Sequence, residues 1–162
     1  MENPSGQLFK QAFLDLFTEA YAGPAEHTST WFTNNEPDAA LFGTLGGLSA
    51  EEASTPPGPG VSTVAAHAEH LRWSLALANA YVRGEMPQAD WEESWTVQSV
   101  DPEAWDRLRA ELRQEYETLR RAIEAREDWS HPQLVTGALA QVPHAAYHLG
   151  AIRQLARLVK RG

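Results

Sequence analysis

The sequence predicts an all-α fold, a single four-helix bundle domain over residues 1–162, with long connections after helices one and two. Three observations carry this expectation. Apolar residues recur every three or four positions in four long segments. No segment alternates apolar and polar residues as a half-buried strand would. Proline, glycine and capping residues stand where those segments must start or stop.

The first helix is expected from about Gly6 to Ala22, where Leu8, Phe9, Ala12, Phe13, Leu16, Phe17 and Ala20 share a face and Gly23-Pro24 ends the run. Residues Glu26 to Gly60 read as loop-rich. A short helix is expected to start at Pro37, a capped turn to cover Leu48-Ser49-Ala50-Glu51-Glu52, and Pro56-Pro57-Gly58-Pro59-Gly60 to break the chain. The second long helix is expected from Ser62, as its N-cap, to Arg83. Glu69, Arg72, Asn79 and Arg83 cluster on one side of it. The remaining arc is broad and mostly apolar, which suits contact with two neighbours.

Gly84 to Val100 is a loop holding Trp91 and Trp95. Asp101-Pro102-Glu103 then opens the third helix with a cap, a proline at the first position and an acid in the first turn. Trp105, Leu108, Leu112, Tyr116, Leu119 and Ile123 form its buried stripe, opposite a charged face. The last helix is expected from Val135 to Lys160, ending in Arg157, Lys160 and Arg161, cations that suit a helix C-terminus.

Composition narrows the function. The net charge is −9, from 13 basic and 22 acidic residues. Such a surface repels phosphate backbones and anionic lipid, so neither direct nucleic-acid binding nor membrane binding is expected. No apolar run of membrane-spanning length and no signal-like N-terminus is present, and a cytoplasmic protein is expected. With no cysteine, disulfides and thiolate ligands are excluded, which leaves His, Asp and Glu as metal ligands. The six tryptophans are expected in the core and in site walls, because no basic groove accompanies them.

Two histidines occupy the face that the last helix should bury. His148 falls about 40° from His144 on the helical wheel, in the arc of Ala151, Ile152, Leu155 and Val159. Imidazoles four apart on a helix can converge on one ion. The plainer alternative is two core histidines bonded to other side chains. On the second helix, His67 and His70 lie about 60° apart astride the apolar arc, with Ser74 and Tyr81 near the same line. Either one would supply a third nitrogen, and the other would then be its hydrogen-bonded neighbour. His27 and His131 lie in expected loops.

Several metal and phosphate motifs are absent. Ala145 follows His144 where a zincin needs Glu, no Glu stands three residues before any of these four histidines, and Leu45-Gly46-Gly47-Leu48 lacks the lysine of a phosphate loop.

Three stretches together resemble the DinB-like superfamily: EAYAGPAEH (Glu19–His27) with the later LSAEEA, TVAAHAEHLRWSL (Thr63–Leu75), and HAAYHLGAIRQL (His144–Leu155). The resemblance implies a four-helix bundle holding a divalent metal ion on three histidines, one from the second helix and two from the last. The family's second-helix ligand precedes an aliphatic residue, which points to His70 before Leu71, with His67 as the alternative or as a neighbour of the ligands. His144 and His148 match the final pair. The chain departs from the family at Gly150-Ala151-Ile152, where Gly-Gln-Ile is common.

Relatives implied by the resemblance include S-transferases and isomerases that use low-molecular-weight thiols. The expected activity is therefore a metal-dependent thiol S-transferase acting on a small-molecule thiol and an electrophilic substrate, or a hydrolase built on the same site. Tyr81 and Tyr147 are candidate hydrogen-bond donors, and Trp91 and Trp95 a candidate wall. The alternative is a non-catalytic metal-binding stress-response protein whose ion stabilises the bundle or a homodimer. Imidazole ligands suit zinc or nickel foremost, then iron or copper.

Overall fold

The computed structural model describes residues 4–24 and 29–160; His27 and Arg161 lie outside the described residues. The elements are α1 (Pro4–Tyr21), α2 (Leu41–Gly46), α3 (Ala50–Ser54), α4 (Val64–Val82), α5 (Pro102–Ala125) and α6 (Pro132–Val159), with one 3-10 turn at Glu93–Trp95. No strand occurs among the described residues.

The four long helices pack as a ring. α1 touches α5 and α6, and α4 touches the same two, so α1 and α4 face each other across a diagonal. Contacts between named residues fix the directions. Arg72 and Asn79 of α4 meet Glu111 and Glu115 of α5 in rising order, so these neighbours are parallel. His67 and Ser74 of α4 meet His148 and His144 of α6 in falling order, so that pair is antiparallel.

Parallel neighbours need a connection that returns along their length. α4 has 19 residues, about 28 Å of helix, and residues 83–101 make the return. Thr63 pins this return by donating to the Gln98 carbonyl, and Ser54 pins it by bonding the backbone of Val100. The crossover therefore runs over the surface of α4 and brings Trp91 and Trp95 with it.

The core is aromatic between α1 and α5. Phe17, Tyr21 and Tyr116 stack with centroids 4.9–5.1 Å apart, and Phe42 of α2 closes on Tyr21 and Tyr116. Trp105 is buried and donates its indole N–H to the Leu48 carbonyl, which fastens the α2–α3 link to α5. No helix among the described residues is long and apolar enough to cross a membrane.

Four local expectations are corrected. The cap of α4 is Thr63, one residue after Ser62, because its hydroxyl accepts from Ala66 N–H while donating to Gln98. Pro37 begins a turn and the helix starts at Leu41. The turn folds so tightly that a Cβ on Gly43 would stand 2.8 Å from the Pro37 carbonyl oxygen. The last helix starts at Pro132, three residues before Val135, since proline there has no N–H to lose. Trp31 is 76% exposed, neither core nor site wall.

Two polar side chains are buried by these contacts. Asn79, on the polar side of α4, donates to the carbonyl and carboxylate of Glu115. Glu19, near the end of α1, is 2% exposed and accepts from the N–H groups of Trp31, Phe32 and Thr33 and from the Thr33 hydroxyl. Burial pushes its carboxyl up, but those hydrogen bonds outweigh it and hold the pKa below the ordinary carboxylate value.

Candidate metal centre

The antiparallel seam of α4 and α6 sets His67, His70 and Ser74 opposite His148 and His144. One nitrogen from each of His70, His144 and His148 lies within 4.8 Å of the others. Nε2 of His70 is 3.0 Å from Nε2 of His144. Nitrogens bound at about 2.0–2.1 Å to one tetrahedral ion stand about 3.4 Å apart, so the His70–His144 pair is already close to a chelating separation.

Each of the three rings has its other nitrogen engaged. His70 Nδ1 is 2.7 Å from Ser94 Oγ, and that hydroxyl donates to the Trp91 carbonyl at 2.6 Å. The imidazole must then be the donor to Ser94, which leaves its Nε2 with a bare lone pair. His144 Nδ1 lies 3.3 Å from Ser74 Oγ, and His148 Nδ1 lies 2.9 Å from His67 Nδ1. His67 thus stands behind His148, outside the converging set. One nitrogen from each of His70, His144 and His148 makes up a donor set whose chemistry fits zinc, nickel, iron or copper.

The crossover roofs this set. Trp95 stacks on His70 at 4.2 Å and 20° and meets His67 edge-on at 5.2 Å, while Trp91 approaches His70 at 5.8 Å. Burial under these rings disfavours charge and lowers the pKa of all four histidines. Burial, then the neighbouring imidazoles, push His70 down to about 4 and His148 to about 3. All four are neutral at pH 7, the form that binds metal.

The other candidates have different places. Tyr147 is 73% exposed, with its ring edge-on to His148 at 5.1 Å. Arg72 pairs with Glu69, and Arg153 lies 3.9 Å from Glu36, both away from the histidines. His131 is exposed as the N-cap of α6 and makes no side-chain capping bond. Helix α6 runs through Pro143, which removes the N–H that would bond the Leu139 carbonyl. One partner of the site, Ser94, carries no signal at the level of sequence pattern, because it sits in the crossover.

Beyond Ser74 and His144 the seam opens into a cavity of about 780 Å³. Leu77, Ala78, Tyr81 and Val82 line it from α4, Leu134, Gly137 and Ala138 from α6, and Phe13, Leu119 and Ile123 from α1 and α5. Trp91 lines it too, so one indole borders both the cavity and His70.

No curated protein and no solved structure matches the chain significantly. The sequence model of the DinB superfamily matches residues 38–152, from just before α2 through most of α6 and across all the site histidines. The chain belongs to the DinB superfamily.

Proposed function

We propose that this protein is a metal-dependent transferase that joins a low-molecular-weight thiol to an electrophilic small molecule. One observation carries the reading. Three imidazoles from two helices each offer one nitrogen within 4.8 Å of the others, beside an open cavity. No fourth His, Asp or Glu joins that set among the described residues. Three protein ligands with an open side are the pattern of a catalytic ion, whereas structural zinc sites are closed by four.

His70, His144 and His148 would hold the ion, which when bound supplies the Lewis acidity that favours a thiolate at neutral pH. Ser94 keeps the tautomer that leaves Nε2 of His70 free, while Ser74 and His67 engage Nδ1 of His144 and His148. Trp91 and Trp95 keep bulk water from one side. The chain has no cysteine, so the thiol comes from outside. In the reaction its S–H proton passes to water, and the sulfur electron pair forms a bond to the electrophilic carbon. The bond from that carbon to its leaving group breaks, and the leaving group departs with the pair.

A second reading is favoured by the lack of any carboxylate in the histidine cluster. In it the ion only ties α4 to α6 and stabilises the fold, in a non-catalytic metal-binding protein of a stress response. One experiment divides the two. Protein purified without a His tag is analysed for zinc, nickel, iron and copper, then incubated with cysteine or other low-molecular-weight thiols and monochlorobimane. Metal-dependent formation of the fluorescent thioether above the spontaneous rate supports the transferase. A bound ion that raises the melting temperature without any rate enhancement supports the second reading.

A further inference from the structure

The cavity beside the histidines has a chemistry of its own. None of the residues that line it is Asp, Glu, Lys or Arg, although the chain is 22% charged. Its polar groups stand at the His144 end, with Ser74 and Gln141, beside the start of α6, with His131 and Gln133, and at the Tyr81 hydroxyl on α4. Between them the walls are aliphatic and aromatic. A charged ligand placed there would give up hydration with no side chain of opposite charge to pair with it.

The shape is elongated. On α4 the lining runs from Ser74 to Val82, about 12 Å of helix at 1.5 Å per residue. On α6 it runs back from His144 toward His131. The volume of about 780 Å³ falls within the range of clefts that enclose a whole small molecule, about 300–1,000 Å³. Small residues make the room. Gly137 and Ala138 stand where larger side chains would fill the seam, and a Cβ built on Gly137 meets nothing within 4 Å.

We infer that this groove binds an uncharged, elongated apolar small molecule, with one end at Ser74 and His144 and its body along Leu77–Val82 and Leu134–Ala138. The inference rests on the transferase reading and names the class of its second substrate: a neutral apolar electrophile whose reactive carbon lies at the histidine end. Thiol and electrophile then approach from different sides, the thiol where the three imidazoles meet and the electrophile from the groove. Trp91, shared by both, borders the junction.

The test reads binding without catalysis. N-phenyl-1-naphthylamine, a neutral apolar fluorophore, is titrated into the full chain with and without zinc, and 1-naphthoate serves as an anionic probe of similar bulk. The expected result is one saturable site per chain with a blue-shifted emission, and at least tenfold weaker binding of the anion. Gly137→Leu should weaken the neutral probe at least tenfold while leaving zinc stoichiometry unchanged. Leucine is a better helix former than glycine, so this variant keeps α6 intact. Equal affinity for both probes, or an unchanged titration in Gly137→Leu, overturns the inference. So does probe binding that disappears as the chains self-associate, because a second copy then fills the groove. None of these readouts uses a thiol. A groove that binds the probe in a protein that forms no thioether therefore refutes the transferase alone.

Discussion

Ser94 Oγ lies between His70 Nδ1 and the carbonyl of Trp91, accepting from the ring at 2.7 Å and donating to the backbone at 2.6 Å. This fully buried hydroxyl ties the tautomer of a candidate ligand to the path of the crossover. Ser94→Ala leaves the His70 N–H without an acceptor, a loss of about 1–3 kcal/mol for a buried donor. It also frees the ring to choose the other tautomer. The expected outcome is metal affinity weaker by about 10–100-fold with the helical content retained, measured by competition against a chelating dye and by circular dichroism. Unaltered affinity would show that the hydroxyl has no part in orienting His70.

The four histidines should separate into two classes. His70→Ala, His144→Ala and His148→Ala each remove one converging nitrogen, and each is expected to abolish stoichiometric metal on elemental analysis. His67→Ala removes only the group behind His148 and should retain the ion with about 10–100-fold lower affinity. If His67→Ala empties the site while His70→Ala does not, the converging set has been wrongly chosen.

Acid should destabilise the metal-free protein in a defined window. His70 and His148 have folded-state values near 4 and 3, below their ordinary 6.5. Above pH 6.5 neither state takes up these protons, and the two groups add no pH dependence. Between 6.5 and about 3–4 the unfolded chain binds protons that the folded chain refuses, so stability falls as pH falls. Below that window the loss levels off. Urea midpoints taken every half unit from pH 7.5 to 5 check the upper part of the limb; midpoints that stay level across that range contradict it.

Glu19 contributes to the lower part of the same limb. Its depressed carboxyl gives stability that is present above its unfolded value of 4.5 and lost as pH falls through the folded value. Glu19→Gln puts an amide where a carboxylate oxygen accepts from backbone N–H groups. The expected loss is about 1–3 kcal/mol in denaturant unfolding at pH 7, with a shallower acid limb below pH 4.5. Metal content should not change, because Glu19 is no part of the histidine cluster.

The parts of this architecture legible in sequence are those whose signal is periodic. The stripe from Trp105 to Ile123 names the buried face of α5 residue for residue, and Asp101-Pro102 names its start, because capping and periodicity are local. The pair His144 and His148 stands out because two imidazoles fall within an apolar arc. Thr63 is different. Ser62 and Thr63 are both good caps, and the choice falls to a carbonyl at Gln98, 35 residues away. His67 and His70 straddle one arc, and only the register of α4 against α6 sets one toward His144 and the other behind His148. Ser94 and the backbone clamp on Glu19 depend on where irregular segments run, and no short-range rule describes such paths.

The antiparallel run of α4 and α6 divides labour along one seam. On α4 the chemistry-bearing side chains come first and the groove wall follows; on α6 that order is reversed. On the proposed reading, substitutions at Leu77–Val82 and Leu134–Ala138 would retune which molecule is accepted while the histidine half, its hydroxyl supports and its indole roof stay untouched. In a protein that worked this way, selectivity would drift without any step at which the histidine cluster has to be rebuilt.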